Sequence, residues 1–216
     1  MKSKAKKEND KNYQEFKIIT LGDSSVGKTA ILKKYIYNVF EEKPKVTIGM
    51  NITHKEITLE NNKKIILRLV DTAGTEKYRS LSKQYFKNAD GVLFIFSLIE
   101  PESFNNIKSW MEVFSDEHNC NNRSYIQKYL IGNKNDLEKK VSENQINDFL
   151  EINTDLKYKS ISAKNDDIKI NELFQELGEN LYKNYGEFKK NEEKTIKLKS
   201  FDEKKKKNCA LNNCFA

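Results

Sequence analysis

A glycine- and lysine-containing segment near the N-terminus limits the folds open to this chain more than any other feature of the sequence. Residues 22–29 (GDSSVGKT) fit the pattern G-x-x-x-x-G-K-[ST]. An apolar run at residues 16–21 precedes them, and residues 30–36 have the composition of a helix. A buried strand, a glycine loop and a helix in this order form the context in which the pattern binds phosphate. The order predicts an α/β fold with a parallel sheet.

The residue types in this loop explain why it would bind phosphate. Gly22 and Gly27 allow backbone angles that a Cβ would forbid, so successive N–H groups can surround phosphate oxygens. A helix that begins near Lys28 directs its positive dipole end at the same anion. Lys28 supplies a positive charge for the β- and γ-phosphates, and Thr29 offers a hydroxyl to Mg²⁺. The predicted phosphate-binding residues are Asp23, Ser24, Ser25, Val26, Gly27, Lys28, Thr29 and Ala30.

Two later segments predict which nucleotide base the site binds. Residues 133–136 (NKND) follow an apolar strand end, where ligands of open α/β sheets collect. The Asp136 carboxylate can accept two hydrogen bonds from guanine, whereas adenine lacks this pair of donors, so a desolvated Asp136 would reject ATP. Lys134 can lay its stem over the base, and backbone N–H groups of residues 162–164 (SAK) can reach guanine O6. The predicted base-binding residues are Asn133, Lys134, Asp136, Ser162, Ala163 and Lys164.

Each segment alone has a simpler explanation. The first also fits a glycine-rich surface turn, and residues 133–136 also fit a solvated loop in a chain rich in lysine and asparagine. Two further segments, Thr47 and residues 71–74 (DTAG), stand between them. A phosphate motif, a metal motif and a base motif in one chain, at workable separations, indicate a site for GTP and GDP. They predict a protein that switches between two shapes as the nucleotide changes.

From about residue 16 to residue 185, the chain resembles the small GTPases of the Ras superfamily, and among them most resembles the Rab branch. Besides the motifs above, the Rab resemblance is carried by Thr47-Ile48-Gly49, residues 76–81 (EKYRSL), Tyr85-Phe86 with Ala89, and Trp110. The resemblance implies that Phe40 stacks on guanine and that Thr47 closes on Mg²⁺ and the γ-phosphate in the GTP state. It also implies that Asp71 holds the Mg²⁺ shell and that the Gly74 N–H bonds the γ-phosphate. The implied metal residues are therefore Thr29, Thr47 and Asp71, and the implied catalytic positions are Lys28, Gly74 and Thr75.

Two features depart from the family pattern. Thr75 stands where the family usually has Gln, the residue that orients the attacking water. The hydrophobic triad of Rab proteins (Phe, Trp and a further aromatic) corresponds here to Ile52, Val70 and Tyr85, so two rings are missing. We therefore predict a Rab-like switch of vesicle or membrane traffic with slow intrinsic GTP hydrolysis.

Two other functions compete with this interpretation. A nucleotide-dependent interaction module that has lost useful hydrolysis would also keep the binding motifs, and Thr75 is consistent with it. A P-loop kinase that uses ATP would leave residues 133–136 and 162–164 without an explanation. The first alternative therefore remains open, and the second is disfavoured.

The remaining pattern predicts one small-GTPase G domain, residues 15–185, built on a six-stranded, mostly parallel sheet with helices on both faces. The predicted strands cover residues 16–21, 52–59, 63–70, 91–96, 126–131 and 158–161. The predicted helices cover residues 30–36, 101–117, 142–151 and 169–182. The turn signal Asn61-Asn62 makes one edge strand antiparallel. The loops at 39–50 and 72–84 are expected to be switch I and switch II.

Both ends of the 216-residue chain lie outside this domain. Residues 1–14 are polar and lysine-rich, and we predict that they are disordered. Residues 186–216 form a flexible tail in which residues 204–207 (KKKK) precede Cys209 and Cys214. Lysines beside terminal cysteines predict a two-signal membrane anchor with these cysteines as lipidation candidates, although the chain has no four-residue prenylation box.

These features also predict partners and location. We expect an exchange factor, a GTPase-activating protein, a GDP-dissociation inhibitor or escort protein, and effectors that bind switch I and switch II. The expected location of the monomer is the cytoplasmic face of an intracellular membrane, with cycling through the cytosol. No run of about 18 apolar residues occurs, and three cysteines indicate a reducing compartment. The net charge of +7 also fits nucleic acid, but the lysines do not cluster with stacking aromatics, which argues against that partner.

Overall fold

The computed structural model describes residues 13–42, 47, 49–73, 86–118 and 126–188. Six strands form one sheet: β1 Gln14–Leu21, β2 Met50–Thr58, β3 Lys64–Thr72, β4 Gly91–Ser97, β5 Gln127–Asn133 and β6 Leu156–Ser160. The strand order is β2-β3-β1-β4-β5-β6. β2 runs antiparallel to β3 at one edge, and every other neighbouring pair is parallel. The predicted α/β sheet with one antiparallel edge strand is therefore confirmed.

Helices cover both faces of the sheet, as predicted. They are α1 Lys28–Tyr37, α2 Pro101–Asn105, α3 Ile107–His118, α4 Glu143–Ile152 and α5, residues 167–188. α1 and α5 pack on one face, where the rings of Tyr35 and Phe174 stack with their centroids 3.9 Å apart. α2, α3 and α4 pack on the other face around Phe104, Trp110 and Ile146. Within the described residues, no helix is both long and apolar enough to span a bilayer.

The helix predicted for residues 101–117 is wrong in one respect, because the structure divides it into α2 and α3 at Asn106. Asparagine has a low helix propensity, and the Asn106 side chain makes its hydrogen bond outside the helix, to Asp23. Pro101 occupies the first turn of α2, where its missing N–H costs nothing. The division therefore follows from a tertiary contact that the local sequence does not reveal.

The bounds of several elements also differ from the prediction, among them those of β6 and α5. β6 begins at Leu156 and ends at Ser160, whereas residues 158–161 were expected, because the buried Leu156 side chain extends the pairing with β5. α5 continues beyond the predicted residues 169–182, and its last described turns place Tyr185 edge-on against Phe16. Both extensions add buried apolar surface to the core.

The parallel pairing brings the segments of the candidate site to one edge of the sheet. Four strands end within or next to a predicted motif: β1 at Leu21, β3 at Thr72, β5 at Asn133 and β6 at Ser160. Because the carboxyl ends of parallel strands lie at the same edge, the segments that follow them are neighbours in space. The fold therefore assembles one site from segments more than a hundred residues apart in the chain.

Candidate nucleotide-binding site

The phosphate loop, residues 22–27, is held in a tight path that requires glycine at two positions. Gly22 has φ +143° and Gly27 has φ +102°, a backbone conformation that side chains disfavour. A Cβ at Gly22 would lie 2.0 Å from the backbone oxygen of Ile95, and one at Gly27 would lie 2.1 Å from Asn133 Nδ2. Both glycines are therefore fixed by close approach to neighbouring strands.

α1 begins directly after this loop without a capping side chain. Gly27 is the N-cap residue, no side chain among the described residues caps the helix, and its first turn contains no acidic residue. The first backbone N–H groups of a helix have no partner within the helix. The start of α1 therefore leaves donors and a positive dipole end for an anion, as predicted for phosphate.

Lys28 is buried, and its ammonium group lies inside the phosphate loop. Its Nζ donates hydrogen bonds to the backbone oxygens of Gly22 at 2.9 Å and Asp23 at 2.7 Å. Burial lowers the pKa of Lys28 to about 8, and the negative charges of Asp71 and Asp23 oppose this shift. The loop thus contains a positive charge held by backbone carbonyls, at the position where the predicted phosphates would pass.

The three predicted metal residues meet at the Thr29 hydroxyl. Thr29 Oγ1 lies 2.7 Å from Thr47 Oγ1 and donates to Asp71 Oδ2 at 2.7 Å. Burial raises the pKa of the Asp71 carboxyl, while the Thr29 hydrogen bond and the charge of Lys28 act in the opposite direction. The other carboxylate oxygen, Oδ1, is buried without a hydrogen-bond partner among the described residues.

This donor set fits Mg²⁺. The ion prefers oxygen ligands and is usually held by one or two carboxylates together with phosphate oxygens and water. Two hydroxyls and one carboxylate converge here, and Asp71 still has a buried oxygen to satisfy. No group of three or more His, Cys, Asp or Glu side chains elsewhere in the described part of the chain could hold a metal. Thr29, Thr47 and Asp71 are therefore the residues suited to hold the ion next to bound phosphate.

Asn133 connects the phosphate loop with the segment 162–164. The buried Asn133 amide donates from Nδ2 to the Val26 backbone oxygen at 2.8 Å. Its Oδ1 accepts from the Ala163 backbone N–H at 3.0 Å. Asn133 therefore joins the phosphate loop to residues 162–164, and its contact with the base stays a prediction.

A hydrogen bond between Asp136 and Ser162 connects residues 133–136 with residues 162–164. The Ser162 hydroxyl donates to Asp136 Oδ1 at 2.6 Å and accepts from the Lys164 backbone N–H at 3.2 Å. The bond engages one oxygen of an otherwise exposed carboxylate and fixes its direction. Asp136 keeps acceptor capacity on its other oxygen, which is what a pair of donors on a base would need.

A cleft of about 460 Å³ lies between these loops, a size typical of small-molecule sites. Its walls include Ser25, Gly27, Ala30, Phe40, Asn133, Lys134, Asp136, Ala163 and Lys164. Phe40 is half-buried and stands on one side, next to Glu42, whose carboxylate lies 3.6 Å from Lys164 Nζ. The cleft therefore brings together most of the residues predicted for the base.

Some predicted residues lie elsewhere or outside the described part of the chain. Val26 is buried and contributes its backbone, and the Ser24 side chain of the same loop is exposed. Gly74, Thr75, Tyr85, Cys209 and Cys214 lie outside the described residues. Val70, which corresponds to a triad position, is fully buried, and its register partner on β2 is the half-buried Ile52. On the same side of the sheet, Glu15 lies 3.7 Å from His54 and 3.8 Å from Arg68.

The Asp23 side chain has a position that sequence reasoning missed. Trp110 Nε1 donates to Asp23 Oδ1 at 2.8 Å, and Asn106 Nδ2 donates to Asp23 Oδ2 at 2.8 Å. We call this set of three side chains the Asp23 clasp. From the sequence, Trp110 was only part of the resemblance to the family, with no contact predicted for it. The signal that could have indicated the contact is that a half-buried carboxylate at Asp23 requires hydrogen-bond donors.

Comparison with known proteins agrees with this geometry. The sequence profile of the Ras family matches residues 17–183. The Ypt/Rab-type GTPase YPT7 of Saccharomyces cerevisiae is 34% identical over 164 residues, which cover 74% of this chain and 78% of the relative. The Ras-related protein SEC4 of the same yeast is 33% identical over 167 residues, which cover 77% of this chain and 75% of the relative. The Ras-related protein RabH of Dictyostelium discoideum is 33% identical over 204 residues, which cover 94% of this chain and 99% of the relative.

The position of Asp136 generates a prediction about base selectivity. Asp136→Asn should weaken GDP binding by about 100-fold or more, because two hydrogen bonds to a charged acceptor are lost, each worth about 1.5–3 kcal/mol. The same substitution should favour xanthosine diphosphate, whose 2-position is an acceptor. Titration with fluorescent nucleotides measures both affinities. Glu138→Gln, an exposed neighbour, is the control for loss of charge, and unchanged GDP affinity in Asp136→Asn would place the base elsewhere.

The hydroxyl cluster generates a prediction about the metal. Thr29→Ala should weaken Mg²⁺-dependent binding of both GDP and GTP, because Thr29 is the residue that contacts both Thr47 and Asp71. Thr47→Ala should spare GDP affinity and affect only the GTP state, since Thr47 is expected to follow the γ-phosphate. Affinities measured with and without EDTA test this division. Equal losses of GDP affinity in the two variants would contradict it.

Proposed function

The chain belongs to the Ras family of small GTPases and within it is most like the Rab proteins, and on this basis we propose that it is a GTP/GDP switch of membrane traffic. In this proposal the GTP-bound protein marks a membrane compartment and recruits effectors through switch I and switch II. GDP-bound protein releases those effectors. An exchange factor, a GTPase-activating protein, and a GDP-dissociation inhibitor or escort protein complete the cycle of this monomer.

One observation carries the proposal more than any other. The Thr47 hydroxyl, from the segment between α1 and β2, lies 2.7 Å from the Thr29 hydroxyl at the start of α1. Thr29 in turn contacts Asp71 at the end of β3. A segment whose Thr47 hydroxyl contacts Thr29 can be held or released at that point according to what Thr29 and Asp71 bind. This arrangement supports switch I as the part that responds to the nucleotide.

The residues of this chain have separate tasks in the proposed reaction. Lys28 and the first N–H groups of α1 bind and neutralise the phosphates, and the Asp136–Ser162 pair orients the base. Mg²⁺, when bound by Thr29, Thr47 and Asp71, supplies positive charge to the oxygens that become more negative as the γ-phosphate leaves. The Gly74 N–H is assigned to the γ-phosphate. Catalysis of phosphoryl transfer consists mainly of such positioning and charge stabilisation.

Position 75 decides how fast the unaided reaction runs in this proposal. A glutamine there accepts a hydrogen bond from the attacking water and donates one to the γ-phosphate, which holds the water in line. Threonine is shorter, and its single hydroxyl is close to the backbone, so Thr75 cannot span that distance. The second candidate function, an interaction module without useful hydrolysis, rests on this same residue.

Thr75→Gln should raise the intrinsic rate of GTP hydrolysis by about 10- to 100-fold, because the attacking water regains its positioning group. Thr75→Ala is the matched control and should hydrolyse GTP as slowly as wild type, since the threonine hydroxyl is given no role. Single-turnover hydrolysis of preloaded GTP measures all three. If wild type is as fast as Thr75→Gln, another residue positions the water. If an activating domain accelerates wild type, the switch is favoured over the interaction module.

The tail is proposed to attach the protein to the cytoplasmic face of an intracellular membrane, with cycling through the cytosol. Each lysine near an anionic surface contributes about 1 kcal/mol, and a lipid on Cys209, Cys214 or both would supply the second signal. Mass spectrometry of protein from its native cell should therefore show added prenyl or acyl mass within residues 201–216. An unmodified tail on membrane-bound protein would contradict the proposed anchor.

A further inference from the structure

We propose that Asn106 and Trp110 are positioning residues of the nucleotide site, which act by holding the Asp23 carboxylate against α3 and so keep the phosphate loop open to phosphate. The proposal deepens the function proposed above and rests on it. The Asp23 clasp joins Asp23 of the phosphate loop to Asn106 at the α2–α3 junction and to Trp110 of α3. None of the tasks given above to the phosphate, metal or base residues includes Asn106 or Trp110.

The clasp engages both oxygens of one carboxylate with separate donors. Trp110 Nε1 lies 2.8 Å from Oδ1, and Asn106 Nδ2 lies 2.8 Å from Oδ2. Trp110 is 2% exposed, so its donor is fixed within the packed face of α3. Hydrogen bonds to an ionised acceptor are the stronger ones in proteins. The carboxylate is therefore held firmly on the α3 side of the loop.

The place of Asp23 in the loop explains why such a restraint matters. Asp23 follows Gly22, and its own backbone oxygen accepts a hydrogen bond from Lys28 Nζ at 2.7 Å. The Asp23 carboxylate already acts electrostatically on the Lys28 ammonium, whose pKa it raises against the effect of burial. Without its two donors it would be free to turn toward this ammonium and the N–H groups at the start of α1. These are the groups assigned to phosphate. A released Asp23 would thus compete with the nucleotide as an anion belonging to the protein itself.

The break between α2 and α3 is consistent with this assignment. Asn106 lies at the junction, with its backbone N–H bonded to the Glu102 oxygen and its side chain directed to Asp23. One turn later along α3, Trp110 presents its ring nitrogen to the same carboxylate. Residues four apart face the same side of a helix, so the two donors form one surface toward the loop. The phosphate loop is therefore connected to α3 as well as to β5.

The test measures release of a fluorescent GDP analogue from the Mg²⁺-loaded full-length protein. Trp110→Phe keeps an aromatic ring but removes the N–H donor, and Asn106→Ala removes the second donor at a half-buried position where folding is less at risk. Each variant should release the nucleotide about tenfold faster than wild type, which corresponds to about 1.4 kcal/mol. Urea unfolding of the same samples measures stability. Phe114→Leu, a packing change on the same helix, is the control and should lower stability without changing release.

A second background separates positioning from packing. When Asp23 is already Ala, no competing carboxylate exists, so adding Trp110→Phe or Asn106→Ala should change the release rate less than twofold. A role in packing alone would give the same acceleration in both backgrounds and would overturn the proposal. Unchanged release in both single variants would also overturn it, while leaving the proposed switch function intact. Failure of wild type to bind the GDP analogue would instead refute the proposed function.

Discussion

The candidate site depends on the two hydrogen bonds of the Asn133 side-chain amide. Asn133 bonds the Val26 carbonyl with one end of its amide and the Ala163 N–H with the other, and the residue is 2% exposed. Loss of either bond would leave a buried polar group unsatisfied, at a cost of about 1–3 kcal/mol. Gly27 lies so close that no other residue fits beneath the amide. The phosphate and base segments are therefore one unit rather than two loops that happen to be adjacent.

The larger features of the fold were predictable because they depend on local pattern. Apolar runs, the glycine loop and the Asn61-Asn62 turn predict the strands and their mixed pairing, and the structure agrees. The division at Asn106 was not predictable, because it accompanies a hydrogen bond to a residue 83 positions away. The start of β6 was missed because Leu156 is separated from the rest of the apolar run by a lysine. Sequence pattern indicates which face a residue prefers but not which distant group it contacts.

In the candidate site, too, the sequence predicts which ligands a residue can bind but not which other residues it contacts. Residue type indicates what Thr29, Asp71 and Asp136 can bind, and the fold brings Thr29 and Asp71 together as expected. The partners of Asp136 and Asp23 were not foreseen, since Ser162 and Trp110 come from elements whose approach depends on packing. The half-buried Asp23 carboxylate needs donors, but the sequence does not show which residues supply them. The roles assigned to Thr75 and the terminal cysteines remain predictions.

The burial of Val70 has a consequence for how a partner would recognise this side of the sheet. A tryptophan or phenylalanine at an interface buries about 150–250 Å² and contributes much of the binding free energy. Val70 is instead covered by the protein itself, and Ile52 offers only a half-buried aliphatic surface. The neighbouring groups are charged or titratable, with Glu15 close to both His54 and Arg68. Association here would rely more on charge and less on apolar contact, so its affinity should fall as the ionic strength rises.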